Sequence, residues 1–535
     1  MKLKNKWGVL AIMAMSMFII VIDTTIMNVS ISALVSDLGT TVSGIQGAIA
    51  IYGLVMAAFI LAGAKMADII GKKKAFIIGL VLFGLGTGTA SIAKNLTMLI
   101  VGWSIIEGLG SALMMPNTQT ILRGSYKGKN LAFAYGIMGA VGAIAAALGP
   151  IVGGFLTTYY SWRWAFRLEL AIVIFALMFI GTVKADVLPK IKPKFDWIGT
   201  ALSVFGFGSI VLGILSAQTY GWFWAKQALV IGERTIDLFG LSITPVLIAI
   251  GFLLTIGLFS WEGYLEDKGT PGLFKPSLFS IRALRTGLNV RFVQLMFMAG
   301  FLFVFPLYLQ LTYGLDAMKT GLILLPSSFA ILMMAIFGAR LAAKFSAKRI
   351  IQAGLVLSII GLFWMASVVS LVEGSDGLVL GSIILGLGMG LIASQIINLE
   401  LSSVKPKDVA QASGLDGVAQ QLGNSIGVAL VGSIMIAALV AGAIPAVQAR
   451  QDLTDMQKRE LTESLENNAQ LASDDQVYTQ LVEYGLSEKT TSGIIDEYRQ
   501  VRANAFSVGM SFLGFLGALG LLMTLRMPNV KLVKE

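Results

Sequence analysis

Cysteine and histidine are both absent from the 535 residues, and charge is scarce, with Asp, Glu, Lys and Arg making up 13% of the chain. A soluble domain carries about 25% charged residues. Without cysteine there are no disulfides, thiol nucleophiles or Cys/His zinc sites. Without histidine there is no Ser-His-Asp triad, and no side chain that ordinarily titrates near neutral pH. Proton chemistry is left to Asp and Glu, whose carboxyl groups burial can tune toward neutrality. A phosphate-binding Walker A sequence is missing too. In "GAKMADIIGKKK" (63–74) the residue five before Gly71 is Met66, and Lys73 stands at the Ser/Thr position. ATP is therefore not the expected energy source, and no cofactor or metal site is expected.

What is abundant is apolar. Hydrophobic residues make up 56% of the chain, with 60 glycines and 30 phenylalanines, and mean hydropathy is +0.80. Small residues let helices approach closely in lipid. The expected class is an all-α membrane protein. The net charge of +10 is spread over short connections, which reads as a topology signal and not as nucleic-acid binding. The first apolar run, after Lys2, Lys4 and Lys6, contains Asp23 and is too long for a signal peptide; it is expected to be a retained first helix.

A span needs about 20 mostly apolar residues. The chain offers fourteen, near 8–32, 44–64, 75–93, 97–121, 131–158, 164–183, 197–217, 241–261, 288–312, 321–343, 350–372, 378–400, 410–442 and 504–525. Alternate connections are basic: Lys2/Lys4/Lys6, Lys72/Lys73/Lys74, Arg123/Lys127/Lys129, Lys190/Lys192/Lys194, Arg282/Arg285, Lys344/Lys348/Arg349, Lys405/Lys407 and Lys531/Lys534. The positive-inside rule then places both termini in the cytoplasm. Residues 443–503 are polar, with 11 acids against 6 bases, and the alternation puts them outside. "TDMQKRELTESLENNAQL" has apolar residues at roughly helical spacing, so this segment reads either as a small extracellular helical cap or as a solvated spacer.

Transporters are often built from repeats. The connection "MADIIGKKKAFIIG" (66–79) resembles "LAAKFSAKRIIQAG" (341–354), with Asp68-x-x-Gly71-Lys72-Lys73 falling on Lys344-x-x-Ala347-Lys348-Arg349. The spans then divide as 6+2+6: a first half over 1–185, a two-helix insertion with its connecting loops over 186–286, and a second half over 287–535 that includes the cap.

Three short patterns carry more. "GAKMADIIGKKK" pairs a tight glycine turn with Asp68 and a lysine run, which fits headgroup contact or a plain topology anchor. "GIMGAVGAIAAALGPIVGGFL" (136–156) gives span 5 a glycine face and a proline. "IDTTIMNVSIS" (22–32) places Asp23 and Asn28 on span 1.

Together these resemble the major facilitator superfamily, in its fourteen-span drug:proton antiporter branch. Residues 64–74 resemble its cytoplasmic loop motif, matching at Asp68, Gly71, Lys72 and Lys73, with Ala64 where glycine is usual and Ile69 where a basic residue is usual. Residues 136–154 resemble its span 5 antiporter motif at Gly136, Gly149, Pro150, Gly153 and Gly154, with Ala145 in place of one glycine. Residues 22–32 are similar to its first-span motif through Asp23, Thr25, Ile26 and Asn28, with Ser32 in place of proline. "SWRWAF" (161–166), "FDWIG" (195–199) and "PLYLQLTYG" (306–314) are similar to that branch as well. Two departures stand out. The span 4 motif, Arg-x-x-Gln-Gly-x-Gly in the family, here reads Ser104-x-x-Glu107-Gly108-x-Gly110; after "SWRWAF" the usual asparagine and proline give way to Glu169 and Ala171.

An ionisable side chain within the bilayer is a functional hypothesis by default. Glu107 has at least eight uncharged residues on either side and lies about 15 Å down span 4, near the midplane. Its readings are proton or cation binding, neutral hydrogen-bonded packing, or an ion pair with Arg167 or another base. Asp23 lies about 22 Å up span 1, in the outer half; its alternative is a helix–helix hydrogen bond shared with Asn28. Glu169 is expected near the outer face, beside Arg163 and Arg167. The resemblance implies that spans 1 and 4 line the central cavity. Cargo residues are expected to be Asn28, Met114, Asn117 and Gln119, then Tyr308 and Gln310 from "FVQLMFMAGFLFVFPLYLQ", with Gln420, Gln421 and Asn424 from span 13. Methionines and aromatic faces suit diverse apolar ligands and organic cations.

The expected protein is a monomeric, proton-coupled secondary exporter of lipophilic, cationic drugs in a bacterial cytoplasmic membrane, surrounded by lipid and working by alternating access. Export of an endogenous lipid or metabolite is the competing transport reading, and a membrane sensor the non-transport one. An enzyme is not expected, because no nucleophile–base pair or metal cluster is present.

Overall fold

The computed structural model of the protein describes residues 3–127, 129–183, 194–227, 229–231, 234–236, 238–369, 376–405 and 408–529. Lys2, Lys190, Lys192, Lys407, Lys531 and Lys534, and the boundary expected at 185/186, lie outside the described residues. Among the described residues, fourteen helices have sixteen residues or more. They are α1 (Leu3–Val29), α2 (Val42–Ile70), α3 (Lys72–Ala90), α4 (Leu96–Ser125), α5 (Lys129–Tyr159), α6 (Arg163–Met178), α7 (Trp197–Tyr220), α8 (Ile243–Asp267), α9 (Arg282–Tyr313), α10 (Ala317–Leu341), α11 (Ala347–Val368), α12 (Asp376–Ser402), α13 (Val409–Ala449) and α14 (Glu488–Thr524). Thirteen of them are long and apolar enough to cross a membrane. The exception is α6, whose 16 residues extend only about 24 Å before a 3₁₀ turn at Ile180–Thr182.

Polar side chains set the helix starts. Thr41 accepts from the Gly44 amide at 3.0 Å, Asn95 from Met98 at 2.9 Å and Asp316 from Lys319 at 2.7 Å, each satisfying an amide that the first turn leaves unpaired. Between α2 and α3 the chain reverses at Gly71, whose φ of 98° is open to glycine and strained for other residues. Asp68 lies exposed three residues before that turn.

Helix α1 packs on α5, α3 on α4 and α6, and α2 on α4. Further along the chain, α9 packs on α13 and α14, α10 on α12, and α11 on α12 and α14. The two largest contacts between these groups are α2 with α13 and α5 with α10. In the first, the Gln46 amide donates to the carbonyls of Val428 and Ala429 at 2.9 and 3.1 Å, and the Ser425 hydroxyl donates to the Ala50 carbonyl at 2.6 Å. In the second, a Cβ at Gly154 would lie 2.5 Å from the Ala317 carbonyl oxygen, and one at Gly321 would meet the carbonyl oxygen of Pro150. Helices α7 and α8 pack on each other, and α7 lies against α2 and α13.

Two features differ from the sequence expectation, and a third decides between two readings of it. A two-stranded ribbon, Leu229–Ile231 antiparallel to Arg234–Ile236, interrupts the all-α pattern between α7 and α8, where Val230, Ile231, Thr235 and Ile236 are β-branched. The first span breaks at Ser30 and resumes as a short helix, Ile31–Asp37. Residues 443–503 are largely helical: α13 runs on to Ala449, α14 begins at Glu488, and between them Asp455–Asn468 and Asp474–Glu483 each start with a capping box. Val447, Leu453, Leu461, Leu481, Leu486, Ile494 and Ile495 form the core of this cap.

Candidate functional site

The site starts from glycine. Helices α3 and α4 approach until a Cβ at Gly86 would meet the Glu107 backbone nitrogen, and one at Gly110 would lie 2.5 Å from the Phe83 nitrogen. Within this contact α4 widens to π geometry over Ile100–Glu107. Such an inserted turn rotates the following side chains and recurs at functional sites. It carries Trp103, Ser104 and Glu107, all buried. Ser104, where the family motif has arginine, donates its hydroxyl to the Ala48 carbonyl on α2 at 2.7 Å.

Glu107, Asp23 and Glu169 come together. One carboxylate oxygen from each lies within 4.8 Å of the others, and their exposures are 0%, 1% and 1%. Cβ atoms tilt toward a helix's own N-terminus. Asp23 and Glu107 sit on antiparallel helices, so the tilts bring their carboxyls toward one depth although their Cα atoms sit at different levels. Asp23 is held by the Trp103 indole N–H, which reaches its two oxygens at 2.9 and 3.0 Å. Trp103 stacks on Tyr52 with centroids 5.3 Å apart and meets Phe166 edge-on; the Tyr52 hydroxyl bonds Ser111 at 3.0 Å. Glu169 accepts from the Thr87 hydroxyl at 3.2 Å. Neither oxygen of Glu107 has a hydrogen-bond partner among the described residues.

Three carboxylates this close, with no base among them, cannot all stay ionised in a low-dielectric interior. The cluster must hold protons or a cation. The bases expected nearby are committed elsewhere. Arg163 pairs with Asp37 at 2.5 Å and donates to the Ala93 carbonyl at 2.6 Å, and the Arg167 guanidinium lies over the Trp164 ring at 4.9 Å. Glu169 is thus not part of an outer charge cluster but faces inward. Asn28 donates to the Thr24 carbonyl of its own helix at 2.7 Å and not to Asp23.

The other expected residues are scattered. Met114 is fully buried and lies against Gly79 of α3. Asn117 bonds the Leu113 carbonyl at 2.7 Å. Gln119 accepts from Ser413 at 2.5 Å. Tyr308 stacks on Phe506 with centroids 4.1 Å apart, and Gln310 donates to the Val29 carbonyl at 2.8 Å. Gln420 accepts from Arg291 at 3.3 Å, Asn424 donates to Gln421 at 3.2 Å, and Gln421 reaches the Met56 sulfur. In the span 5 motif, Gly149 lies against Thr25, Gly153 against Ile26 and Gly154 against α10.

A cavity lies between the two helix groups, lined by Thr25, Pro150, Met298, Phe301, Ser327 and Met389 among others. It is greasy, as the α9 sequence suggested, but the residues that line it include Met298 and Phe301 and not Tyr308 or Gln310. Thr25 lies on α1, two positions from Asp23, so this helix touches both the acid cluster and the cavity. Sequence reasoning missed Trp103, Tyr52 and Thr87. An aromatic in an apolar span reads as packing, and only the indole N–H, a donor needing a partner once buried, signals otherwise.

A sequence profile described as the Major Facilitator Superfamily matches residues 13–428. Among curated proteins, the chain is 29% identical over 448 residues to a probable actinorhodin transporter of Streptomyces coelicolor, covering 81% of this chain and 73% of that protein. It is 25% identical over 459 residues to a tetracenomycin C resistance and export protein of Streptomyces glaucescens, covering 85% and 80%. It is also 28% identical over 357 residues to a lincomycin resistance protein of Listeria innocua, covering 66% and 70%. The fold resembles that of a bacterial homologue of the human lysosomal transporter Spinster, with a TM-score of 0.59 at 14% identity and 98% of both chains covered.

Proposed function

The chain belongs to the Major Facilitator Superfamily, and we propose that it works there as a proton-coupled secondary exporter of lipophilic, cationic compounds. The observation that carries this reading is Glu107: fully buried, without a donor among the described residues, and within 4.8 Å of two further carboxyls. Such a cluster takes up a proton when open to the acidic side and releases it, or trades it for a cationic cargo, after the bundle reorients. Asp23, Glu107 and Glu169 are the coupling residues. Cargo sits in the cavity of Thr25, Met298 and Phe301. Asn28, Met114, Asn117, Gln119, Tyr308, Gln310, Gln420 and Asn424 are occupied with neighbours in this conformation and turn to cargo as the helices move. Asp68, Gly71, Lys72 and Lys73 at one end and Gly149, Pro150, Gly153 and Gly154 at the other carry the rocking motion.

The working molecule is a monomer in the cytoplasmic membrane of a bacterium, with fourteen spans divided 6+2+6 and both termini cytoplasmic. The relatives' names, for resistance and export, support drug cargo. All three are named for a single compound each, which favours a second reading, export of one dedicated metabolite.

The test is transport by the purified full chain in proteoliposomes with an imposed pH gradient, across a panel of lipophilic cations. Counter-movement of protons with several of them supports the multidrug reading, and with a single compound the dedicated one. Cargo that crosses without moving protons overturns the coupling.

A further inference from the structure

A second set of charges lies away from the acid cluster, on α9, α12 and α13. Arg291 and Asp416 are nearly buried, and Glu400 is 0% exposed. The Arg291 Nε lies 3.4 Å from Asp416 Oδ1, Nη1 donates to Gln294 at 3.2 Å and Nη2 to Gln420 at 3.3 Å. Among the described residues the guanidinium thus contacts Asp416 and two amides, and not Glu400. Glu400 packs its Cγ against Gly287, 2.5 Å from where a Cβ there would sit. Gly287 is one turn before Arg291 on the same face of α9. Arg291 and Asp416 are the charged groups that act on Glu400, yet both Glu400 oxygens are buried without a hydrogen-bond partner among the described residues. Two carboxyls therefore share one guanidinium, and the one left unserved is the most deeply buried. With both ionised, the set would bury an uncompensated negative charge, which costs several kcal/mol.

The arrangement echoes the first cluster. Each half of the proposed 6+2+6 division sets an acid on its fourth helix, Glu107 or Glu400, against a charged residue on its first, Asp23 or Arg291. The depths differ. Glu107 lies eleven residues into α4 and Glu400 twenty-four into α12, which places Glu400 roughly 20 Å further along the bundle. That is the end carrying the Lys72 and Lys405 connections.

We propose that Glu400, set against Asp416 and Arg291, is a second proton-carrying site of this exporter, lying at the basic end of the bundle and handing protons off after the Asp23–Glu107–Glu169 cluster has admitted them. This rests on the antiport reading for its role in transport, but not for the presence of the proton.

The two are separated by reading the proton directly. Infrared spectra of the purified full chain in lipid vesicles, titrated across the physiological range, report protonated carboxyl groups without any cargo. Glu400→Gln is expected to remove one protonated-carboxyl component, distinct from the one removed by Glu107→Gln, and the double variant to remove both. Asp416→Asn frees Arg291 to pair with an ionised Glu400, so it too should remove the Glu400 component, which guards against a folding defect in a single variant. In proteoliposomes cargo-driven proton movement should slow at least about tenfold in Glu400→Gln. Spectra of Glu400→Gln and Asp416→Asn that match wild type throughout the titration overturn the site. Loss of the component with proton movement at the wild-type rate leaves a structural proton and overturns the hand-off. Absence of proton movement in wild type overturns antiport and the hand-off, while the spectra still decide whether the proton is there.

Discussion

Trp103 is the residue on which the first cluster turns, because its indole N–H is shared between the two oxygens of Asp23. A hydrogen bond to a charged group contributes about 1.5–3 kcal/mol and one to a neutral group about 1. Trp103→Phe removes the donor and also the larger ring from a buried site packed on Tyr52 and Phe166. The variant should lose about 1.5–3 kcal/mol for a hydrogen bond to a charged group on top of the cost of the cavity, read by thermal or denaturant unfolding in detergent. A variant as stable as wild type would contradict the role given to Trp103. Asp23 and Glu107 were legible in the sequence as candidates because a carboxyl in an apolar run is costly unless it is paired, neutral or functional. Glu169 was misread. Arg167 is only two residues away, but two residues turn a helix by about 200°, so the arginine faces outward and the acid inward. Sequence proximity along a helix is a poor guide to shared surroundings at that spacing.

Glycine contacts are the device that recurs between elements. At Gly86 a methyl group would run into the Glu107 backbone, so Gly86→Ala should push α3 from α4, cost about 1–3 kcal/mol and weaken proton coupling by displacing Glu107. Gly110→Ala should cost a similar amount, measured by the same unfolding, with the backbone of Phe83 in the way. A different consequence is expected at Gly321, where a Cβ would meet the Pro150 carbonyl. Gly321→Ala should part α5 from α10 and populate a state open at that end. Spin labels on introduced cysteines at Tyr160 and Lys319 would report longer distances, and the cysteine-free chain keeps the labelling specific. Apolar length gave away the long helices, and the glycine–proline pattern gave away α5. The π stretch in α4 left no sequence signal, since it arises from packing against α3. The segment between α13 and α14 read either as a helical cap or as a solvated spacer, and the signal that decides it is Thr454/Gln457 and Ser473/Gln476, the capping boxes that start its two short helices.

For the whole molecule, the cap and the bundle act as one body through Arg502. Its guanidinium is 1% exposed and donates to Thr312 on α9 at 3.1 Å, to the Ala472 carbonyl at 2.8 Å and to Asp474 at 2.9 Å. Arg502→Ala should loosen residues 443–487 from α9 and raise their amide exchange while the core helices stay protected. Acid does not do the same. Arg450 hydrogen-bonds Asp452 and holds its carboxyl below the ordinary value of 3.8. A lowered carboxyl pKa contributes stability that is present above the ordinary value and is lost as pH falls through the lower one. Label distances between cap and bundle should therefore stay constant from neutral pH to about pH 5, so proton loading acts on the buried acids and not on this pair. The convergence of α1, α4 and α6 was not legible, because depth arithmetic along single helices placed their acids at three levels and carries no information on azimuth. The central claim is that Glu107 couples proton to cargo, and the most direct test is transport by Glu107→Gln in proteoliposomes under a pH gradient. Cargo-for-cargo exchange should stay within about twofold of wild type while cargo-driven proton movement falls at least about tenfold. Proton movement at the wild-type rate in that variant would contradict the claim.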